Sequence, residues 1–276
     1  MGDKALLVGI NAYSGAPLSG CVNDSSDFAE YLASPYVKFK YDNVRMLCDE
    51  RATTQAILER LEWLVDVGPG DRCFFHYSGH GAQYPSRDYK QELDNMLEVI
   101  CPVDFDWTPE HLITDKQFVD IFSRIPKGVR FNWVSDSCHS GDLTRDIGTA
   151  PALLLEGVKA EPCPKPRRHP VPADIAWRMR GAKSRNLAAT DRGMVCGKLD
   201  VGFISGCRSD QTSMDAWFNG RPGGALTQNL LRVLKANKTS MPLLRVVALT
   251  SKALKTGGFS QTPQCEGARA KKAFLG

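Results

Sequence analysis

The sequence predicts an α/β fold in which a mostly parallel central sheet is flanked by helices on both faces. Short apolar runs typical of buried strands alternate with stretches whose apolar residues recur at helical spacing. Several of the strand-like runs end in small or polar residues, as strands do at the edge of a parallel sheet. A length of 276 residues is ordinary for one such domain with a continuous sheet.

The elements follow one another in a regular order along the first half of the chain. The clearest helix spans 53–67, where Ile57, Leu61 and Leu64 lie on one helical face, and the Gly-Pro-Gly triplet at 68–70 ends it. Asn23 and Asp24 are candidate N-caps for the first helix. Strands are expected at 4–11, 43–48, 71–78, 98–103, 130–135, 201–206 and 263–265, and helices at 23–32, 53–67, 115–123, 224–235 and 243–255.

A proline-rich, basic segment at about 149–198 interrupts this alternation. Positions 165–192 contain eight basic and two acidic residues, so this part carries more than the net charge of +4 of the whole chain. It lacks a clear period and is predicted to be a long exposed loop or a partly disordered insert. Because the charge is local, a nucleic-acid-binding face over the whole fold is not indicated.

Composition and motifs argue against several other classes of protein. No apolar run approaches the length that spans a bilayer, and the run at 5–10 is too short for a secretory signal, so a cytoplasmic protein without membrane association is expected. Nine cysteines occur without any CxxC spacing, which argues against zinc-ribbon and thioredoxin sites. No glycine-rich phosphate-binding motif follows the first strand, which argues against nucleotide binding.

Two residues suited to nucleophilic catalysis lie where strands end. His80 follows the third expected strand and Cys138 follows the fifth, so both should emerge at the carboxyl edge of the sheet. A nearby imidazole would raise the thiolate fraction of a cysteine and could later protonate a leaving amine. The backbone amides of Gly81 and Cys138 are candidates for an oxyanion hole. From spacing alone, a structural cysteine and a core histidine are as well supported as a catalytic pair.

Seven ordered segments resemble the metacaspase branch of the caspase-like peptidases. They are GCVND at 20–24, SGHG at 78–81, CPVD at 101–104, DSCHSG at 136–141, GCRSDQTS at 206–213 followed by Asp215, GGALT at 223–227, and QTPQ at 261–264. The resemblance implies a caspase-like fold and a cysteine endopeptidase. It divides the single domain 1–276 into a large-subunit region (1–148), a basic processing loop (149–198) and a small-subunit region (199–276). Because the first core strand begins at residue 4, no N-terminal prodomain is expected.

The same resemblance implies an acidic pocket for the substrate residue before the cut, lined by Cys21, Asp24, Ser78 and Asp136. Cleavage after arginine or lysine is the expected specificity. Two carboxylates at this edge favour a cation, and a planar guanidinium can bind bidentately, so arginine should be preferred over lysine. Judged without the resemblance, Asp24 is better explained as a helix cap and Asp136 as a turn former.

An enzyme with this preference could cut its own basic loop. Arg178, Arg180 and Arg185 are candidate cleavage positions in the exposed segment. The alternative is a solvated loop that stays intact, which is the commoner fate of a run of charge.

Cofactors and partners are predicted from the same resemblance. Many metacaspases need calcium, for which the candidate ligands here are Asp94, Glu98, Asp115, Asp142 and Asp146. Leu97 and Lys116 stand where aspartates are usual, so weak or absent calcium dependence and no required cofactor are expected. The expected partners are protein or peptide substrates with exposed Arg or Lys, and the resemblance implies a monomer.

Two other functions stay open at this point. A catalytically silent caspase-like scaffold is one, although both His80 and Cys138 are present. A peptide ligase on the same fold is the other, because hydrolysis and ligation both pass through an acyl-enzyme.

Overall fold

The computed structural model of the protein describes residues 2–85, 96–138, 164–183, 200–208, 211–237 and 241–275. Its helices are α1 (Cys21–Ala33), α2 (Thr54–Val65), α3 (Asp115–Phe122), α4 (Ala173–Lys183), α5 (Ala225–Asn237) and α6 (Leu243–Thr256). Its strands are β1 (Lys4–Gly9), β2 (Val44–Cys48), β3 (Arg72–Ser78), β4 (Gly81–Pro85), β5 (Met96–Ile100), β6 (Ile113–Thr114), β7 (Arg130–Asp136), β8 (Lys165–Pro166), β9 (Val201–Ser205), β10 (Met214–Phe218), β11 (Arg221–Gly224) and β12 (Gln264–Glu266).

The central sheet has six strands in the order β12-β9-β7-β3-β1-β2. The five strands from β9 to β2 run parallel, and the edge strand β12 pairs antiparallel with β9. Two smaller three-stranded sheets, β11-β10-β8 and β4-β5-β6, lie outside it. The predicted α/β fold with a mostly parallel central sheet is therefore confirmed.

Two hydrophobic cores lie on opposite faces of this sheet, because successive side chains of a strand point to opposite sides. In β1, Leu6 and Val8 belong to one core, and Ala5 and Leu7 belong to the other. The first core also contains buried side chains of α2, α3 and α4, and the second contains those of α1, α5 and α6. Helices thus cover both faces, as the sequence predicts.

Three neighbouring strands end level with one another at the carboxyl edge. Gly9 of β1 lies opposite Ser78 of β3, and Ser78 lies opposite Asp136 of β7. The residues that follow these strand ends therefore meet at one place, where α/β sheets usually bind their ligands.

Part of the basic segment differs from the expected exposed loop. Residues 164–183, called the strap below, form β8, a short connection and α4. Strand β8 pairs antiparallel with Met214 and Asp215 of β10, and α4 buries Ile175 and Met179 in the first core. The strand pairing and the buried side chains thus order a stretch of chain whose composition predicts an exposed loop. The other residues of the predicted loop lie outside the described residues.

No helix in the described parts of the chain is long and apolar enough to cross a membrane.

Candidate active site

The backbone of His80 is fixed just beyond the end of β3 by two tyrosines. The His80 amide donates to the hydroxyl of Tyr13 at 3.0 Å, and the hydroxyl of Tyr77 donates to the His80 carbonyl at 2.6 Å. A Cβ atom at Gly79 would lie 2.4 Å from the Tyr13 hydroxyl, so only glycine fits between them. The turn after β3 thus places His80 in one defined position.

The ring of His80 has a defined tautomer. Its Nε2 atom lies 2.8 Å from the carbonyl oxygen of Ala16, which can only accept a hydrogen bond, so Nε2 carries a proton. Burial lowers the pKa of His80 to about 4, although the Ala16 carbonyl opposes this shift. At neutral pH the ring is therefore uncharged, and Nδ1, which is buried and has no partner among the described residues, is free to accept a proton.

Cys138 lies two residues beyond the end of β7 and is buried. Its Sγ atom donates to the carbonyl oxygen of Gln211 at 3.1 Å. The amides of Cys138 and Gly81, at 3.2 and 3.1 Å, both donate to the same carbonyl oxygen, that of Arg167 in the strap. The two amides that the sequence suggests as an oxyanion hole therefore converge on one acceptor.

The side chain of Arg167 fills the acidic pocket and is completely buried. Its Nη2 atom donates to Asp24 at 2.7 Å and to Asp215 at 2.9 Å. Its Nη1 atom donates to the hydroxyl of Ser78 at 2.6 Å and lies 3.2 Å from a carboxylate oxygen of Asp136. One guanidinium thus contacts three carboxylates, and the third of them, Asp215, was not assigned to the pocket from the sequence.

Each of these buried carboxylates also accepts hydrogen bonds from donors in other elements. Such donors offset the cost of removing charge from water. Asp24 accepts a hydrogen bond from the Gly224 amide. Asp136 accepts from the amide and hydroxyl of Thr227 and from the hydroxyl of Ser213. Asp215 accepts from the amides of Ser19 and Gly20.

The electrostatics of the acidic pocket follow from burial. Burial raises the pKa of Asp24 to about 6, while the Arg167 guanidinium acts in the opposite direction. Burial also raises the pKa of the Cys21 thiol, which therefore stays protonated at neutral pH. Asp24 is not the cap of α1: the helix has Gly20 at its N-cap without a side-chain cap, and the Asp24 carboxylate turns into the pocket instead.

The two described candidate cleavage positions, Arg178 and Arg180, lie outside this pocket. Arg178 lies in α4, where its guanidinium sits 5.8 Å from the ring of Tyr84 and donates to the Pro85 carbonyl. Arg180 is an exposed residue of the same helix, and Arg185 lies outside the described residues.

The calcium candidates are divided between described and undescribed parts of the chain. Glu98 lies in β5 and Asp115 begins α3, whereas Asp94, Asp142 and Asp146 lie outside the described residues. Within the described ranges, no group of three or more His, Cys, Asp or Glu side chains could hold a metal ion. The expectation about calcium stays a prediction.

Sequence reasoning missed three residues that shape the site. Tyr13 gave no signal, because a tyrosine in a loop is ordinary. Arg167 was hidden among the basic residues of its segment. Asp215 did carry a signal, since it lies two residues after the GCRSDQTS motif at 206–213, one of the seven segments that resemble metacaspases.

Comparison with known sequences connects this geometry to one family. Residues 3–145 match the family model described as "Metacaspase, peptidase C14 domain". Metacaspase-1A of Aspergillus oryzae is 32% identical over 85% of this chain, and metacaspase-1 of Kluyveromyces lactis is 34% identical over 84%. The matches cover 60% and 58% of these relatives, so the chain spans about three-fifths of their length.

Solved structures show the same fold. A crystal structure of a protein from Geobacter sulfurreducens matches with a TM-score of 0.65 at 24% identity, covering 97% of this chain and 94% of the other. Caspase-1 of Spodoptera frugiperda matches with a TM-score of 0.57 at 11% identity, covering 96% of this chain and 86% of its own. The fold is therefore caspase-like, as the motifs implied.

Proposed function

Because the chain belongs to the metacaspase family of caspase-like cysteine peptidases, we propose that it cleaves peptide bonds after arginine, and less well after lysine. One observation carries the proposal. The side chain of Arg167 lies in the acidic pocket while its carbonyl oxygen accepts from the amides of Gly81 and Cys138. A segment of the chain is thus held as a substrate would be held.

The proposed reaction uses Cys138 as nucleophile and His80 as base. Nδ1 of His80 accepts the thiol proton, and Sγ of Cys138 attacks the carbonyl carbon of the arginine before the cut. The amides of Gly81 and Cys138 stabilise the resulting oxyanion. The proton passes to the leaving amine, and water then hydrolyses the thioester of the acyl-enzyme.

The preference for arginine follows from the contacts of Arg167. Its two terminal nitrogens point to different partners, Nη2 to Asp24 and Asp215 and Nη1 to Ser78 and Asp136. A lysine has one compact ammonium and cannot contact both sets of acceptors at these distances. An acidic side chain would meet three buried carboxylates and be rejected.

We also propose that the first bond cut is the chain's own Arg167–Arg168 peptide bond. Antiparallel pairing of β8 with β10 and the bond from the Arg167 amide to the Ser213 carbonyl, 2.9 Å long, bind the strap as an added strand. Arg178 and Arg180 lie in a helix, which would have to unwind before either could bind in this extended form. The proposal therefore replaces these two candidates, and Arg185, by Arg167.

The first experiment measures hydrolysis of a short fluorogenic peptide that ends in arginine, beside peptides that end in lysine and aspartate. Cleavage is expected after arginine, more slowly after lysine and not after aspartate, and Cys138→Ala should abolish it. Cleavage after aspartate would contradict the pocket assignment of Asp24, Asp136 and Asp215. No cleavage by the wild type, before or after loop processing, would favour a silent scaffold.

The second experiment locates self-cleavage. Purified wild type and the variants Cys138→Ala, Arg167→Ala and Arg180→Ala are incubated, and the new amino terminus is identified by mass spectrometry. Wild type and Arg180→Ala should give a fragment that begins at Arg168, whereas Cys138→Ala and Arg167→Ala should not. A fragment that begins after Arg178, Arg180 or Arg185 in fresh wild type would contradict the proposed bond.

We propose that this chemistry needs no metal ion. Leu97 and Lys116 replace the acidic residues that a calcium site would need there, and a lysine beside the site opposes a dication. Full activity in excess chelator is expected. Loss of activity that calcium alone restores would refute this.

A further inference from the structure

The second residue after the proposed cut is His169, and its ring lies among four other rings. The ring centroids are 5.0 Å away for Phe105, 5.5 Å for His80, 6.0 Å for Trp107 and 6.1 Å for Tyr13. All four pairs meet edge to face, with interplanar angles from 68° to 84°. We call the rings of Tyr13, Phe105 and Trp107 the aromatic cradle, and the ring of His80 lies beside it, 4.4 Å from that of Tyr13.

The backbone fixes which residue enters the aromatic cradle. The Gly81 amide donates to the Arg167 carbonyl, and the Gly81 carbonyl accepts from the His169 amide at 3.2 Å. One residue of the enzyme thus binds the chain on both sides of the bond to be cut. Because these hydrogen bonds set the register, any substrate bound in the same way directs its second residue after the cut to the cradle.

The cradle also shows two features typical of a binding site. Trp107 has a φ of 67°, a conformation that side chains other than glycine seldom adopt, and its ring packs 5.0 Å from that of Phe105. Its indole Nε1–H is buried and has no hydrogen-bond partner among the described residues. A strained backbone and an unpaired buried donor are costs that pure packing does not explain.

We propose that the aromatic cradle is a specificity site on the leaving-group side, which selects an imidazole or aromatic ring at the second residue after the cleaved bond. This inference rests on the proposed cleavage after arginine. Edge-to-face contact with several rings favours a planar ring over an aliphatic side chain. A carboxylate would lose its water among apolar rings, and none of the cradle's groups is a permanent cation, so aspartate should be the worst occupant.

The test uses an enzyme whose own strap fills neither site, the double variant Arg167→Ala/His169→Ala. Its substrates are internally quenched peptides Lys-Pro-Arg-Ser-X-Pro, with X as His, Phe, Ala or Asp and with one arginine as the cleavage point. Each kcat/KM is divided by the same enzyme's value for a Lys-Pro-Arg amide that has no residue after the cut. In this ratio, any effect of the substitutions on catalysis in general cancels.

We expect His and Phe to exceed Ala by about tenfold in this ratio, with Asp lowest. Adding Trp107→Ala should reduce the difference between His and Ala to about twofold, and Trp107→Phe, which keeps a ring, should restore most of it. The matched control is Trp177→Ala, since Trp177 is 72% exposed on α4 and lies outside the cradle. If Trp107→Ala fails to fold, Phe105→Leu takes its place.

Equal ratios for His and Ala, or a preference that survives Trp107→Ala, would overturn the cradle while leaving cleavage after arginine intact. No hydrolysis of the Lys-Pro-Arg amide would count against the proposed function instead. In that case a binding measurement tests whether the cradle selects a ring. The same peptides are titrated into the form that also carries Cys138→Ala, where tighter binding of His than Ala supports the cradle and equal binding rejects it.

Discussion

Tyr13 is the residue that best illustrates how the proposed base, His80, is positioned. Its hydroxyl accepts from the His80 amide and donates to the Cys101 carbonyl at 2.8 Å, while its ring lies 4.4 Å from the His80 ring. The hydroxyl therefore fixes the backbone of His80, and the ring limits where the imidazole can turn. Tyr13 therefore acts on the proposed reaction through His80 and is a positioning residue.

Replacing Tyr13 by phenylalanine should separate these two roles. Tyr13→Phe keeps the ring but leaves the His80 amide without this acceptor, a loss of about 1–2 kcal/mol. We expect kcat for an arginine peptide to fall by roughly 5- to 30-fold with little change in KM. Tyr41→Phe, at an 82% exposed tyrosine, is the control and should behave as wild type. A change confined to KM would contradict the positioning role.

Asp24 should make arginine binding dependent on pH. Burial and, to a smaller extent, the carboxylate of Asp136 raise its pKa to about 6, while the guanidinium of Arg167 acts in the opposite direction and favours the charged form. A guanidinium and a proton therefore compete for the same carboxylate. Because a bound guanidinium lowers the pKa of Asp24, its pKa in the empty pocket lies above the value of about 6 that it has with Arg167 in place. Binding is therefore fully present above the pKa of the empty pocket and weakens as pH falls from there to about 6.

The measurement is the affinity of an arginine-ended peptide for the double variant Cys138→Ala/Arg167→Ala at several pH values. Affinity should fall several-fold as pH is lowered from 8 to 6 and level off below pH 6, because Asp24 in the empty pocket, without a guanidinium to lower its pKa, already takes up a proton above pH 6. Adding Asp24→Asn should give weak binding with a flatter profile. An unchanged affinity across this range would show that Asp24 does not control binding.

At the scale of elements, the strap is bound in the way that we propose for a substrate. On one side of the Arg167–Arg168 bond, the strap is held by the pairing of its strand β8 with β10. On the other side, it is held by the side chains of Ile175 and Met179 in α4, which are buried in the first core. A tethered segment has a high effective concentration and competes strongly with free peptides. The uncut protein should therefore be blocked by its own strap.

Arg167→Ala should relieve this block without any cut. We expect this variant to hydrolyse a short arginine peptide from the moment of mixing, whereas wild type should show a lag that ends as the Arg167–Arg168 bond is cleaved. Removing the buried guanidinium leaves the carboxylates of the acidic pocket without their cation, so a loss of about 3–5 kcal/mol of stability is also expected. Arg180→Ala is the control and should keep the lag.

A stopped-flow trace reports the lag, and thermal unfolding with and without an arginine-ended peptide reports the stability. The peptide should restore part of the lost stability, because it binds the folded form. An identical lag in Arg167→Ala and wild type would contradict the blocking role of the strap.

At the scale of the whole molecule, the proposed cut lies between two strands that are adjacent in one sheet. Strand β7 remains in the first fragment and β9 in the second, and they pair from Phe131 with Val201 to Ser135 with Ser205. Both hydrophobic cores also contain residues from each side of the cut. Cleavage at this bond therefore leaves the pairing and the packing in place.

Processed protein should accordingly elute as one particle in native size-exclusion chromatography while giving two bands on a denaturing gel. Cys138→Ala should elute at the same volume and give one band. Light scattering on the same column tests whether that particle is a monomer, as we propose. Fragments that separate under native conditions would contradict the shared sheet.

The sequence determined the parts of this protein that depend on local patterns. Helical spacing and short apolar runs located most of the central strands and helices, and they put His80 and Cys138 beyond strand ends. Local patterns were insufficient for α4, because it is basic and preceded by Pro170 and Pro172, and among its described side chains only Ile175 and Met179 are buried. Strands β4, β6, β8, β10 and β11 were also missed, because short strands outside the central sheet take their form from pairing.

Only the tertiary structure decided what Asp24 and Arg167 do. Locally, an aspartate at the start of a helix is explained as a cap and an arginine in a basic segment as a solvated charge. They are 143 positions apart in sequence, but in the fold they form a buried ion pair 2.7 Å long beside Ser78. No local pattern encodes a contact at that separation, because it exists only once the sheet has brought its strand ends together.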